Sequence, residues 1–297
     1  MTGRVHIVGG GLAGLSCAIA AAKKNIPVTI YEATRRAGGR CRSFHDQDLD
    51  RVLDNGSHVV LAGNPSVFEY LSLVGASNEL VPSGTNKEVS FVDLKSNQKW
   101  NLKPSQGRLP FFLLSSQRRP PQTHLWQYAT ALGLIAKADK ATVSDILGKT
   151  GIAWNSFWEP LSVAIMNTNP DEASAFLLGS ALKRTLLSRN GGIQSFVPRE
   201  SLSKTFVEPA LNKIKELGGS IRFDCPLTHL EVKSKAKALI FRDQTIELAP
   251  MDIVVLAIPH GLPRSNHIFP ETFLQHRHQL LIVIFSFARK LYILLRA

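Results

Sequence analysis

The chain has 297 residues, 44% of them hydrophobic and 20% charged, a balance that excludes general disorder and fits one large or two moderate domains. A formal net charge of +12 favours acidic partners such as phosphate-bearing cofactors, but the lysines and arginines are scattered. No zinc spacing, RNP-like aromatic run or other nucleic-acid motif accompanies them, so nucleic acid is not an expected partner. Cys17, Cys41 and Cys225 are too few and too far apart for a disulfide framework, and a reducing, cytoplasmic setting is expected. The first apolar stretch is interrupted by Gly9, Gly10, Gly11 and Gly14 and does not read as a signal peptide, and no run reaches the length of an ordinary membrane span.

In chain order, Val5–Val8 is a short β-branched strand, followed by a glycine turn and an Ala- and Leu-rich helix over Leu12–Lys24. Asn25 can close that helix in a left-handed conformation, Pro27 bars its continuation, and Val28–Tyr31 is the next strand. Two strands joined by a helix should lie parallel in one sheet. From Pro82 to Pro121, short alternating segments (88–94 and 98–102) give way to Pro104, Pro110, Pro120 and Pro121, the pattern of a β-rich insertion and a loop. Residues 123–190 read as largely helical, with Leu125, Trp126, Tyr128, Leu132 and Ile135 on one face. Past Gly191-Gly192, strands and helices alternate again. An amphipathic helix spans 206–217 and ends at Gly218-Gly219, with a strand over Ser220–Phe223 and a hairpin-like stretch from Leu230 to Leu248. The apolar run 253–258 before Pro259 has the look of a buried parallel strand.

The expected fold class is α/β: a Rossmann-like FAD/NAD(P)-binding domain with a parallel sheet, formed by 1–80 and 191–259 and interrupted by an α+β substrate domain over 81–190. Residues 260–297 make an atypical tail, in which several histidines precede an apolar stretch (280–295) broken by Ser286, Arg289 and Lys290. No cysteine accompanies those histidines and the one carboxylate among them, Glu271, completes no ligand spacing, so no metal site is expected.

The chemistry begins with Gly9-x-Gly11-x-x-Gly14, set between a strand and a helix. Bare backbone at Gly9, Gly10 and Gly11 lets the chain approach a pyrophosphate, and the helix start at Leu12, Ala13 and Gly14 offers N–H groups and a favourable dipole. Glu32, at the end of the second strand, can accept hydrogen bonds from ribose hydroxyls and would repel a 2′-phosphate. Together these features predict a bound dinucleotide. Ala33 follows, then Gly38-Gly39-Arg40 and Ser43. Here two small residues let a second loop close and an arginine supplies a cation for phosphates, the other reading being a basic surface turn. In Asp54-Asn55-Gly56-Ser57-His58, the histidine is either a packed residue or a proton donor.

Glu32-Ala33 with Gly38-Gly39-Arg40-x-x-Ser43 resembles the second fingerprint of the amine oxidase and phytoene desaturase superfamily of flavoproteins. The resemblance implies FAD as cofactor, with Asn55, Gly56 and Ser57 passing close to its isoalloxazine ring. Trp158-Glu159-Pro160-Leu161 and Met166-Asn167-Thr168 resemble a stretch of the hydroxysqualene dehydroxylase family. Pro198-Arg199, Leu202, Phe206, Glu208-Pro209-Ala210 and Gly218-Gly219 resemble that family's return into the cofactor domain. The likeness runs over residues 4–258. It implies a strand over 223–227 that offers the backbone of Leu227 to the adenine. It also implies an FAD-dependent oxidoreductase acting on a lipid-like isoprenoid polyene, by reductive dehydroxylation of hydroxysqualene to squalene in hopanoid biosynthesis. Contact with the inner face of a membrane follows from such a substrate. A phytoene-type carotenoid desaturase or an amine oxidase is the alternative enzyme, and a catalytically silent nucleotide-binding fragment is the alternative of another class. Past Pro259 the family pattern, with its further Gly-Asp flavin motif, is no longer visible, and the expectation is a truncated or frame-shifted product.

Overall fold

Four short segments, two near the start of the sequence and two beyond residue 219, meet in one sheet. The computed structural model describes residues 3–259, apart from 57–58, 85–87, 95, 106, 108, 136–139, 189–191 and 233–235. The sequence expectations for Ser57, His58 and the 260–297 tail therefore lie outside the described residues. In the sheet, Ser220–Arg222, Val28–Tyr31, Val5–Val8 and Ile253–Leu256 lie side by side in that order, all parallel. Val5–Val8 and Val28–Tyr31 are buried along their whole length, as strands covered on both faces must be. The α/β, Rossmann-like expectation holds.

One face of the sheet carries Ile7 beside Ile30 and Val255, and it receives the Leu12–Ala22 helix, whose Leu15, Ala18 and Ile19 are buried. Asn25 ends the segment after that helix with a left-handed backbone (φ 57°), as the sequence suggested. The other face carries Val8 beside Tyr31 and Leu256, which pack with Leu230, Leu239 and Phe241. Those last residues belong to an antiparallel sheet of Leu227–Val232, Ala236–Phe241 and Thr245–Glu247. Two expectations are corrected here. The stretch read as hairpin-like is three strands and begins at Leu227. The strand foreseen over 223–227 is a turn as far as Pro226, because the parallel strand ends at Arg222 and Asp224 takes a left-handed backbone (φ 54°). In that turn Asp224 N and Cys225 N donate to Thr34 O and Glu32 O, so the chain follows the exit of the second strand.

One buried polar residue interrupts the apolar first strand. His6 is paired through Nδ1 with Tyr31 Oη (3.0 Å) and through Nε2 with Asp252 Oδ2 (3.2 Å). Asp252 also accepts from Arg4 N and Ala249 N. Burial pushes the imidazole pKa below its ordinary 6.5, and the Arg4 and Arg222 cations add to that against the pull of Asp252. A depressed folded value means that the neutral ring's contribution is complete above 6.5 and is lost as pH falls from there through the folded value. The urea midpoint should therefore drop on acidification from about pH 7 to about pH 5, and a His6→Gln variant should lose that slope.

Elements between Val89 and Leu186 enclose a second apolar core. Val89–Asp93 and Gln98–Leu102 form an antiparallel hairpin, in which Phe91 stacks on Trp100 with centroids 5.4 Å apart. A π-helical turn over Trp154–Trp158 runs into the Glu159–Met166 helix, and the Val143–Leu147 and Ala175–Arg184 helices complete the group. Phe157 and Trp158 meet edge-on at 4.7 Å, so the motif tryptophan is core packing. The single helical face expected for Leu125, Trp126, Tyr128, Leu132 and Ile135 does not form. Leu125–Tyr128 is a 3-10 turn and Ala131–Ile135 a separate short helix. The break ends the 3.6-residue period, leaving Tyr128 buried while Leu125, Trp126 and Leu132 are exposed.

Contacts divide the chain into two compact units, one built from 1–57, 69–80 and the residues from 198 onward, the other from 58–68 and 81–197. Among the described residues no helix is long and apolar enough to cross a membrane.

Candidate dinucleotide site

The glycine turn sits where the first parallel strand becomes a helix, and two of its glycines are fixed by the crowding of backbone on backbone. A Cβ on Gly14 would overlap the Gly9 carbonyl oxygen, and one on Gly9, whose φ is +105°, would overlap the Ala257 carbonyl oxygen. Gly11 differs. Its φ is −72° and a Cβ there would meet nothing within 4 Å. The open side of the turn is therefore at Gly11, where the helix begins. The first bond of the helical ladder runs from Leu15 N to Gly11 O, which leaves the amides of Leu12, Ala13 and Gly14 as the terminal donors. No side chain caps them and the first turn holds no acid. That arrangement suits an anion.

Glu32 is buried and turns back onto this loop. Its Oε2 accepts from Gly10 N (2.7 Å), while Oε1 accepts from Thr34 N and Thr34 Oγ1 (both 2.9 Å). A carboxylate offers about four lone-pair sites, so these three protein donors leave roughly one for a ligand hydroxyl. Thr34 was not singled out from sequence; a hydroxyl two residues after the acid was the available signal. Ala33 is exposed beside it.

The second loop joins the first through backbone. Gly38 N donates to Gly10 O (2.8 Å), Gly11 and Gly38 form an isolated parallel bridge, and Gly39 lies against Gly11. Gly39 and Arg40 are exposed. Asn55 Nδ2 donates to Arg40 O (3.0 Å), Asn55 N to Arg42 O, and Gly56 N to Asp54 O, so 55–56 are tied to 40–42. Leu227 opens the antiparallel sheet, paired with Phe241, two residues after Cys225, whose amide donates to Glu32 O, and it packs with the apolar cluster around Val8 and Tyr31.

Sequence reasoning quoted Ser43 and Asp54 without a role, and did not single out Ser203. Asp54 Oδ1 accepts from Ser43 Oγ (2.6 Å) and from Leu202 N (2.9 Å), while Ser43 and Ser203 exchange two side-chain-to-backbone bonds. This clamp holds the Ser43–Asp46 and Arg51–Asp54 strands, and with them Asn55. Asp54→Ala should cost about 1–2 kcal/mol in a urea melt by stranding the Ser43 hydroxyl and the Leu202 amide.

The family model of flavin-containing amine oxidoreductases matches residues 12–280. The chain belongs to this family. It is 35% identical to a hydroxysqualene dehydroxylase from Sinorhizobium fredii, over 87% of this chain and 62% of that protein. It is 34% identical to one from Rhodopseudomonas palustris, over the same shares. The chain thus spans about three fifths of the length of these curated relatives. A crystal structure of an oxidoreductase from Methanosarcina mazei shares the fold, with a TM-score of 0.64 at 16% identity, over 89% of this chain and 60% of that one. Within the amine oxidoreductase family, a flavin dinucleotide is tested on this chain by its own cradle. The open side at Gly11, the uncapped helix start and the buried carboxylate with one acceptor site to spare fit the pyrophosphate and ribose of an adenine dinucleotide.

Proposed function

We propose that the chain binds FAD and acts as an FAD-dependent oxidoreductase on an isoprenoid polyene, removing the hydroxyl of hydroxysqualene reductively to give squalene. The observation that carries the cofactor part is Glu32 folded onto a glycine loop whose helix start is open at Gly11. In this reading the amides of Leu12, Ala13 and Gly14 hold the pyrophosphate, and Glu32 takes one ribose hydroxyl. Arg40, exposed at the second loop, supplies a cation to the phosphates, and the backbone at Leu227 meets the adenine. Asn55 and Gly56 border the isoalloxazine. Bound flavin supplies hydride chemistry, which no protein side chain can. The substrate assignment is supported by relatives named for hydroxysqualene at 35% and 34% identity and by the Trp158-Glu159-Pro160-Leu161 stretch. Residues 1–80 and 191–259 serve as the cofactor domain and 81–190 as the substrate domain. An apolar polyene is drawn from a bilayer, which puts the protein at a membrane face.

The test is thermal melting with nucleotides. FAD at about a hundred times its Kd should add roughly 2.7 kcal/mol of stability. ADP should also shift the midpoint, while FMN, which lacks the AMP half and with it the adenosine ribose, and NADP, whose 2′-phosphate meets Glu32, should not. No shift with FAD, or an equal shift with FMN, overturns the assignment. Squalene formed from hydroxysqualene with reduced flavin tests the substrate; turnover of phytoene in its place overturns it.

A further inference from the structure

More than half of the net charge comes from one segment. Between Asp93 and Asp139 there are seven lysines and arginines and no aspartate or glutamate, so this stretch carries +7 of the chain's +12. Its cations are spread as evenly as elsewhere; what sets it apart is the missing acids.

The same segment exposes large apolar side chains. Phe111 is 62% exposed, Trp126 72% and Leu132 70%, and Leu109, Leu114 and Leu125 are exposed with them. Each short turn here has an inward anchor as well. Phe112, Tyr128 and Leu134 are buried in the same apolar cluster, together with Trp154, Phe157 and Trp158. In the 3-10 turn Phe111–Leu114, residues three apart eclipse, so Phe111 and Leu114 leave on one side while Phe112 is buried. The turns are also held by local bonds: Phe112 N donates to Ser105 Oγ, Arg119 Nη1 to Leu113 O, and Tyr128 Oη to Thr123 Oγ1. The outward side chains are therefore displayed by a fixed scaffold. Arg118 is exposed among them.

We propose that Leu109–Leu132 is the surface by which the protein docks on a lipid bilayer bearing anionic headgroups, Phe111, Leu114, Trp126 and Leu132 entering the acyl boundary. Apolar anchors next to a segment with cations and no acids match both layers of such a surface, the hydrocarbon edge and the negative headgroups. A second copy of the chain would bring the same +7 segment against itself, which like charge opposes. The inference rests on the lipid-substrate reading for its choice of bilayer, and names the face that reading lacked.

Vesicle flotation with the full chain tests it. Binding to phosphatidylglycerol-containing vesicles should exceed binding to pure phosphatidylcholine, and should weaken at about 1 M salt, where screening acts within roughly 3 Å. Brominated acyl chains should quench tryptophan fluorescence on binding, a readout that needs no variant. A Phe111→Ser/Trp126→Ser variant should lose at least about tenfold in partitioning, having given up two large apolar side chains, while its FAD-induced thermal shift is unchanged. Undiminished vesicle binding by that variant, no quenching in the parent, or a dimer that the same variant dissociates each overturns the inference. If FAD gives no thermal shift while vesicle binding behaves as described, the cofactor reading fails and the docking surface stands.

Discussion

Gly11→Ala should leave the cofactor-free protein as stable as before, or more stable by about 0.4–1 kcal/mol, and still lower FAD affinity at least tenfold. The first half follows from backbone and space. At φ −72° an alanine is unstrained, its Cβ meets nothing within 4 Å, and the substitution reduces the entropy of the unfolded chain. The second half follows from what that space is for. A methyl group standing where a pyrophosphate approaches the helix start forces the phosphate away from the Leu12 and Ala13 amides. Gly14→Ala should behave in the opposite way. Its Cβ overlaps the Gly9 carbonyl oxygen, a backbone atom that cannot swing aside, so the loop must shift at a cost of about 1–3 kcal/mol or more. Urea melts without FAD and fluorescence titrations with it, on both variants, separate the two roles. Equal FAD affinity for Gly11→Ala and the parent would remove the pyrophosphate from this turn.

What the sequence revealed of this site was local in the chain. The Val5–Val8 strand, the glycine turn, the helix to Ala22 and the Val28–Tyr31 strand all lie within thirty-one residues, and each carries its own signal: β-branched runs, Gly triplet, alanines, a left-handed asparagine. The clamp on Asp54 could not be read that way. It joins Asp54 to Leu202 and Ser43 to Ser203 across the whole intervening unit, and an aspartate beside a strand has many uses. His6 looked like an ordinary strand residue because its partner, Asp252, is 246 positions away. The failed face at 125–135 has another cause. Periodicity presumes one continuous helix, and here two short turns of different pitch share the segment, so the apolar count was right and the direction of the side chains was not. That error turned out to matter, since two of the residues placed on that face, Trp126 and Leu132, are among those proposed to reach lipid.

Glu32 tests whether the acid serves the ligand, the loop, or both. Replacing it by alanine removes the acceptor of three donors at once, Gly10 N, Thr34 N and Thr34 Oγ1. The single proton of the Thr34 hydroxyl is shared between Glu32 Oε1 and Arg36 O and keeps the second acceptor. The Thr34 amide sits on an exposed residue within reach of water; the buried Gly10 amide has no such outlet, and stranding it costs about 1–3 kcal/mol. Glu32→Ala should therefore destabilise the cofactor-free protein by about 1–3 kcal/mol and abolish the FAD-induced shift in melting temperature. Glu32→Gln is the sharper probe. Its amide keeps one oxygen, enough for Thr34 or for Gly10 but not for both, and its NH2 must face a donor on the other side. Stability should fall by about 1–2 kcal/mol, and FAD affinity should fall with it, because the lone pair left for the ribose is gone. Discrimination against NADP should weaken as well, since the charge that repels a 2′-phosphate is no longer there. A Glu32→Gln protein that melts lower yet binds FAD as tightly as the parent would make the carboxylate a brace for the glycine loop alone.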